Sequence, residues 1–103
     1  MAMRDTTTCC NSKSKVFKAL SHPTRLWMVE QLGAGERCVC WFVEQVDADY
    51  STISKHLTVL KKAGVVRDEK RGKWVYYRMA MPCVLEMIRC IENAQCVGEA
   101  DDE

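Results

Sequence analysis

The sequence predicts a small, mainly α-helical domain carrying one β-hairpin, and three observations lead to that expectation. Residues 50–64 place Ile53, Leu57 and Leu60 at i, i+4 and i+7, the apolar stripe of an amphipathic helix. After Gly64 the pattern shifts toward alternation, so that 65–70 and 73–79 read as strands joined by a tight turn at Arg71-Gly72. Helically spaced apolar residues recur before and after this region, with Gly or Pro at the breaks. At 103 residues, 48% apolar and 28% charged, the chain makes one globular domain, small enough to benefit from a partner subunit.

In chain order, residues 1–12 are polar, lack an apolar period and read as a flexible arm whose one chemical feature is Cys9-Cys10. Ser12 caps a helix over about 13–20, with Val16, Phe17 and Leu20 on its apolar face. Ser21-His22-Pro23 breaks and restarts the chain, and Pro23 suits the first position of a second helix over 23–33. That helix turns Leu26, Val29 and Trp27 inward, with His22 as a polar residue ahead of it. A third helix, about 39–47, presents Val39, Phe42, Val43 and Val46 to the core. Asp47-Ala48-Asp49 then turns into the helix of 50–64, which Ser51 caps and Gly64 ends. Pro82 starts a last helix over about 82–96, with Val84, Leu85, Ile88 and Ile91 on one face. This face and the first helix have little to cover within one chain, which points to a homodimer. Cys83 and Cys90, seven apart on the last helix, are expected to pack in the core or the interface. The main domain is thus 13–97, followed by an acidic tail at 98–103.

Two helices separated by the short turn at 47–49 form a helix-turn-helix pattern. The polar side of the second carries Ser51, Thr52, Ser54, Lys55, His56, Thr58 and Lys62. Short hydroxyls and cations at a helix start suit a DNA major groove, where they reach base edges and phosphates. The hairpin tip adds Lys70, Arg71 and Lys73, the composition of a wing that grips phosphates or a minor groove. Because the formal net charge is only +1, such a surface comes from local clustering. The expected architecture is a homodimeric winged helix-turn-helix that binds double-stranded DNA.

No run of about 18 apolar residues suggests a membrane span, and the N-terminus lacks the apolar core of a signal peptide, so a cytoplasmic location is expected. There is no Gly-rich phosphate loop, no carboxylate pair in catalytic context and no Cys-x-x-Cys in a βαβ setting. An enzyme or thiol oxidoreductase is therefore not expected. Seven cysteines, an odd number without an export signal, favour thiolate chemistry over a disulfide scaffold. Cys38-Val39-Cys40 is the centre of that chemistry, two soft donors suited to As(III), Sb(III), Cd(II), Pb(II), Zn(II) or Cu(I). Two residues apart on a regular helix point about 200° away from each other. One ion would therefore reach both sulfurs only by loosening the first turn of the third helix, beside the DNA-reading helix. That difference between two states is what ligand-driven release requires. Cys9 or Cys10, from the same chain or the partner, supplies a third donor; alternatively these thiols and Cys38 or Cys40 form a redox switch.

Taken together, the residues resemble the ArsR/SmtB family of winged-helix metalloregulatory repressors over about 14–82. The resemblance rests on Ala19-Leu-Ser-His-Pro-Thr-Arg-Leu26, Cys38-Val-Cys40 and Ser51-Thr-Ile-Ser-Lys-His-Leu57. It continues through Leu60-Lys-Lys-Ala-Gly-Val-Val66 and Gly72-Lys-Trp-Val-Tyr-Tyr-Arg78. It implies a homodimeric repressor that binds an imperfect inverted repeat in its own promoter and leaves when metal binds. Cys-Val-Cys on the third helix is similar to the thiolate site of the arsenic and cadmium/lead branches. The arsenic branch often has a further cysteine where this chain has Val43. The cadmium/lead branch instead recruits cysteines from an N-terminal arm, as Cys9-Cys10 are placed to do. The family's zinc-type site on the last helix has no counterpart, because 81–95 contains neither His nor Asp. The expected inducer is As(III) or Sb(III), with Cd(II) or Pb(II) as the alternative.

Overall fold

The computed structural model describes residues 2–98, with side chains described for 10–95. The acidic tail from 99 onward and the side chains of Cys9 and Cys96 lie outside the described residues. The elements follow in the order α1 (Ala2–Leu20), α2 (Pro23–Gly33), β1 (Arg37–Cys38), α3 (Val39–Gln45), α4 (Tyr50–Lys62), β2 (Val66–Arg71), β3 (Trp74–Met79) and α5 (Cys83–Gly98). The mainly α fold with an antiparallel hairpin is as the sequence led us to expect.

One core ties these elements together. Met28 and Val29 of α2, Phe42 of α3, Ile53, Leu57 and Leu60 of α4, and Val65 at the hairpin entry are fully buried. Val66, Tyr77, Val84 and Ile88 close the same cluster from the hairpin and α5. Each fully buried aliphatic of this kind contributes roughly 1.5–3 kcal/mol of transfer free energy, so the stripe of three on α4 anchors the reading helix firmly. Gly33 lets α5 approach α2: a Cβ there would lie 3.0 Å from Leu85 Cδ2.

Several local expectations are corrected. The first helix starts at Ala2 rather than near 13, because no Gly or Pro interrupts residues 2–20. His22, placed ahead of α2, is its N-cap, with Nδ1 accepting the Thr24 N–H at 3.1 Å. On α2 the buried residues are Met28, Val29 and Leu32, while Leu26 and Trp27 are only partly covered. The cap of α4 is Asp49, not Ser51: Asp49 Oδ1 accepts the Thr52 N–H at 3.0 Å, leaving Ser51 inside the first turn. The hairpin turn is Gly72-Lys73, since Arg71 pairs with Trp74. Gly72 at φ 63 takes the left-handed first position that a II′ turn demands.

The Gly64 stop holds in detail. Gly64 ends α4 at φ 85, its N–H donating to Lys61 O while Val65 N–H reaches Leu60 O. These bonds form a Schellman motif that delivers Val65 into the core. The face of α5 divides as well: Val84 and Ile88 are buried, whereas Ile91 stays 49% exposed and Phe17 of α1 59% exposed. Cys83 and Cys90 are exposed, so they are not core residues. They lie off the Val84–Ile88 stripe.

The Asp49 cap makes a testable acid dependence. Its hydrogen bonds to Thr52 hold the carboxyl below the ordinary Asp value. Its stabilisation is therefore complete above about pH 4 and is lost as pH falls through the lowered value. Asp49→Ala is expected to lower the urea midpoint above pH 4, and the gap from wild type should close on further acidification.

Candidate nucleic-acid and thiol sites

The polar face of α4 is available along its length. Ser51, Thr52, Lys55 and Lys62 are exposed, and Ser54 and Thr58 half-exposed, on the side away from Ile53, Leu57 and Leu60. His56 is placed differently. Its ring packs against His22 with centroids 4.6 Å apart, and its Nδ1 lies 3.2 Å from Arg25 Nη1. Arg25 Nε also donates to Ala19 O at 2.6 Å. Arg25 therefore staples the end of α1 and the start of α2 to the reading helix. Burial, then His22, then Arg25 hold His56 below the ordinary imidazole value. A neutral His56 accepts the Arg25 N–H at Nδ1 and carries its proton on Nε2. The role of Arg25 escaped the sequence reading, because its partners lie six and 31 residues away.

On its other flank α4 is held by the hairpin through Lys61 Nζ and Asp68 Oδ2 at 3.0 Å. The three wing cations are not equivalent. Arg71 donates from Nη1 and Nη2 to the two carboxylate oxygens of Glu36 at 2.9 and 2.7 Å, and from Nη2 to Glu69 Oε1 at 2.9 Å. Its guanidinium also lies over the Tyr76 ring at 4.7 Å. Lys73 sits over the Trp74 ring at 5.4 Å, and Lys70 has no ion pair among the described residues. Two carboxylates thus offset the charge of Arg71, leaving Lys70 and Lys73 as the cations of the tip.

The thiol pair departs most from expectation. Cys38 is not helical: at φ −77, ψ 150 it is extended and caps α3 from outside, its Sγ accepting the Cys40 N–H at 3.3 Å. It also pairs with Tyr76 in a two-residue strand, with Arg37 opposite Tyr77, giving a sheet of order β1-β3-β2. The Cα atoms of Cys38 and Cys40 are 5.2 Å apart, and the two sulfurs are joined as a disulfide. The expected 200° divergence therefore does not arise. The helix begins one residue after Cys38, and the sulfurs converge without any loosening of α3.

Around this pair Arg37 places its guanidinium 4.1 Å from the Trp41 ring, which stacks in turn on Trp27. Among the described residues no group of three His, Cys, Asp or Glu side chains converges to hold an ion. Val43, one turn beyond Cys40, offers no donor. Cys10 is exposed on α1, a helix that packs on α2 and α4, whereas Cys38 and Cys40 sit where β1 meets α3. Among the described residues the structure thus brings together Cys38 and Cys40 and leaves Cys10 apart, while the side chain of Cys9 lies outside them.

Comparisons with known proteins bear on the fold and the family. The model of the bacterial regulatory protein arsR family matches residues 22–68, from the α2 cap to the middle of β2. An uncharacterized HTH-type transcriptional regulator of Methanocaldococcus jannaschii is 38% identical over 81 residues, 78% of this chain and 91% of its own length. The arsenical resistance operon repressor of Escherichia coli is 42% identical over 67 residues, covering 64% of this chain and 57% of that protein. A cadmium resistance transcriptional regulatory protein homolog from Staphylococcus aureus is also 42% identical over 67 residues, with 64% and 55% covered. The chain thus spans little more than half the length of these two metal-resistance regulators. Among solved structures, the homodimeric winged helix-turn-helix DNA-binding domain of a possible ArsR-family regulator from Mycobacterium bovis superposes with a TM-score of 0.80. It is 25% identical, and the match covers 91% of this chain and 89% of that one.

Arg71 is engaged by Glu36 and Glu69 rather than free for a phosphate, so it contributes little to the salt dependence of duplex binding. Arg71→Ala is expected to flatten the dependence of log Kd on log salt less than Lys70→Ala does, in titrations of a labelled duplex.

Proposed function

The chain belongs to the arsR family of bacterial regulatory proteins, and from that premise we propose a DNA-binding repressor whose Cys38 and Cys40 thiolates sense trivalent arsenic or antimony. Binding at the thiols lowers affinity for its operator, an imperfect inverted repeat read by a homodimer. The observation that supports this reading most is the convergence of two sulfurs at the junction of β1 and α3. Soft, reduced thiolates there match the preference of As(III) for sulfur.

The same junction supplies a route to the DNA face. Cys38 lies opposite Tyr76 on β3, the inner strand of the wing, and Glu36, two residues before it, clamps Arg71 beside the turn at the wing's tip. On the other side α3 packs on α4. A ligand on Cys38 Sγ competes with the Cys40 N–H for that sulfur, so ligation acts on the cap of α3 and on β1 together. This replaces the unwinding route read from the sequence.

A third donor comes from Cys9 or Cys10, of the same chain or its partner, since position 43 is valine. The alternative inducers Cd(II) and Pb(II) use the same pair, and a relative named for cadmium resistance keeps that reading alongside arsenic. The disulfide between Cys38 and Cys40 favours a second reading, a thiol redox switch. The two chemistries exclude one another at any moment, because a disulfide sulfur has no thiolate to give. Oxidation would silence metal sensing or take its place.

Release from a fragment of the chain's own promoter tests the proposal, with As(III), Cd(II), Pb(II) and Zn(II) titrated under reducing conditions. Wild type is expected to leave DNA at the lowest concentration with As(III). Cys38→Ser and Cys40→Ser should bind the fragment as wild type does and stay bound. Release of both variants by As(III) at the wild-type concentration would rule out this thiol pair. Release by peroxide, reversed by a dithiol and insensitive to all four ions, would establish the redox reading instead.

A further inference from the structure

A groove of about 370 Å³ lies between the end of α1, the start of α2 and the end of α4, and of its lining only Lys62 belongs to the DNA surface expected from the sequence. Lys15, Lys18, Arg25 and Lys62 line it over a floor that includes Val59 and Ala63, and none of its lining residues is acidic. In a chain of formal net charge +1 this is a marked local excess of positive charge. The ion pairs among the described residues lie elsewhere, on Lys61–Asp68 and on the Arg71 and Arg78 side of the sheet. Among the described residues nothing lining the groove offsets its lysines. Arg25 commits two of its five N–H groups to Ala19 O and His56 and keeps the others.

The groove continues the reading face. Val59 and Lys62 follow Lys55 by four and seven positions on α4, so they share its side of the helix and are exposed with it. A helix about 10–12 Å across fills a major groove about 12 Å wide, which brings one phosphate backbone against each flank. On one flank of α4 stands the hairpin, tied by Lys61 and Asp68. On the other stands this groove, tied by Arg25 and His56. Because Arg71 is neutralised within the wing, the larger set of unpaired cations lies on the groove side.

We propose that the α1–α2–α4 groove is a phosphate-backbone clamp for duplex DNA, with Lys15, Lys18, Arg25 and Lys62 gripping the strand opposite the wing. The proposal rests on the DNA-binding reading above. It adds sequence-independent contacts from α1, a helix the sequence assigned to the dimer interface alone.

The test is salt-dependent binding of the full, reduced chain, from 50 to 200 mM KCl, to a mixed-sequence duplex of about 30 base pairs and to its promoter fragment. Each phosphate contact contributes about 0.9 to the slope of log Kd against log salt. Lys15→Gln/Lys18→Gln is therefore expected to flatten the slope by about 2, equally on both duplexes, while Lys15→Arg/Lys18→Arg keeps it. Lys13→Gln, a lysine of α1 that does not line the groove, should leave the slope as it is. An unchanged slope in the double glutamine variant would overturn the clamp while leaving the regulator reading intact. So would a fall in Lys13→Gln as large as that of each groove lysine, which would mark an effect of overall charge. Failure of wild type to bind either duplex at 50 mM would overturn the DNA-binding reading itself, and the clamp with it.

Discussion

The pairing of Arg37–Cys38 with Tyr76–Tyr77 is the constraint on which the proposed switch depends. It holds Cys38 extended, and an extended residue immediately before a helix sends its side chain back toward the first turn. That one backbone choice brings its sulfur to Cys40, caps α3 and sets the thiol pair against the inner strand of the wing. A two-residue strand has few ladder bonds, so its neighbours hold it: Glu36 clamped by Arg71, Arg37 over Trp41, and Val39 buried in the core. The proposed sensing chemistry and the wing therefore share a structural element.

The reading helix is fixed from three sides. Ile53, Leu57 and Leu60 anchor its inner face, Lys61–Asp68 ties it to the hairpin, and Arg25 with His56 ties it to α1 and α2. The two lateral ties are polar and partly exposed, and each contributes less than the apolar anchor. They set lateral position more than stability. A helix anchored along one stripe and trimmed at both edges presents its outer face at a defined angle between two charged flanks.

Much of this was legible in the sequence because it rests on periodicity. The stripe of α4, the Gly64 stop, the Pro23 start and the alternation in the hairpin are local patterns, and local patterns survive folding. What escaped notice was either too short or too distant. A strand of two residues has no period to read, so Cys38 was assigned to the surroundings of a helix and the sulfurs to opposite faces. Arg25–His56 and Glu36–Arg71 span 31 and 35 residues, and no spacing rule links such pairs. The caps show a subtler failure. Asp49 and Ser51 are both good cap residues, and only the start of the backbone turn decides between them. The thiol chemistry was read from composition and spacing, while the geometry that joins the sulfurs was not.

Val39, between the two cysteines, is only 3% exposed and is locked into the core. The ordering cost of bringing two donors together is therefore met when the chain folds, not when a ligand arrives. For a reduced chain this has a kinetic meaning. The first two bonds to a soft ion need no loop closure and no search by the backbone, so uptake at this pair is limited by exchange of the ion's own ligands. In the proposed sensor the slow step of any response then falls on a third donor arriving from elsewhere, and its speed becomes a property of the element that carries that donor.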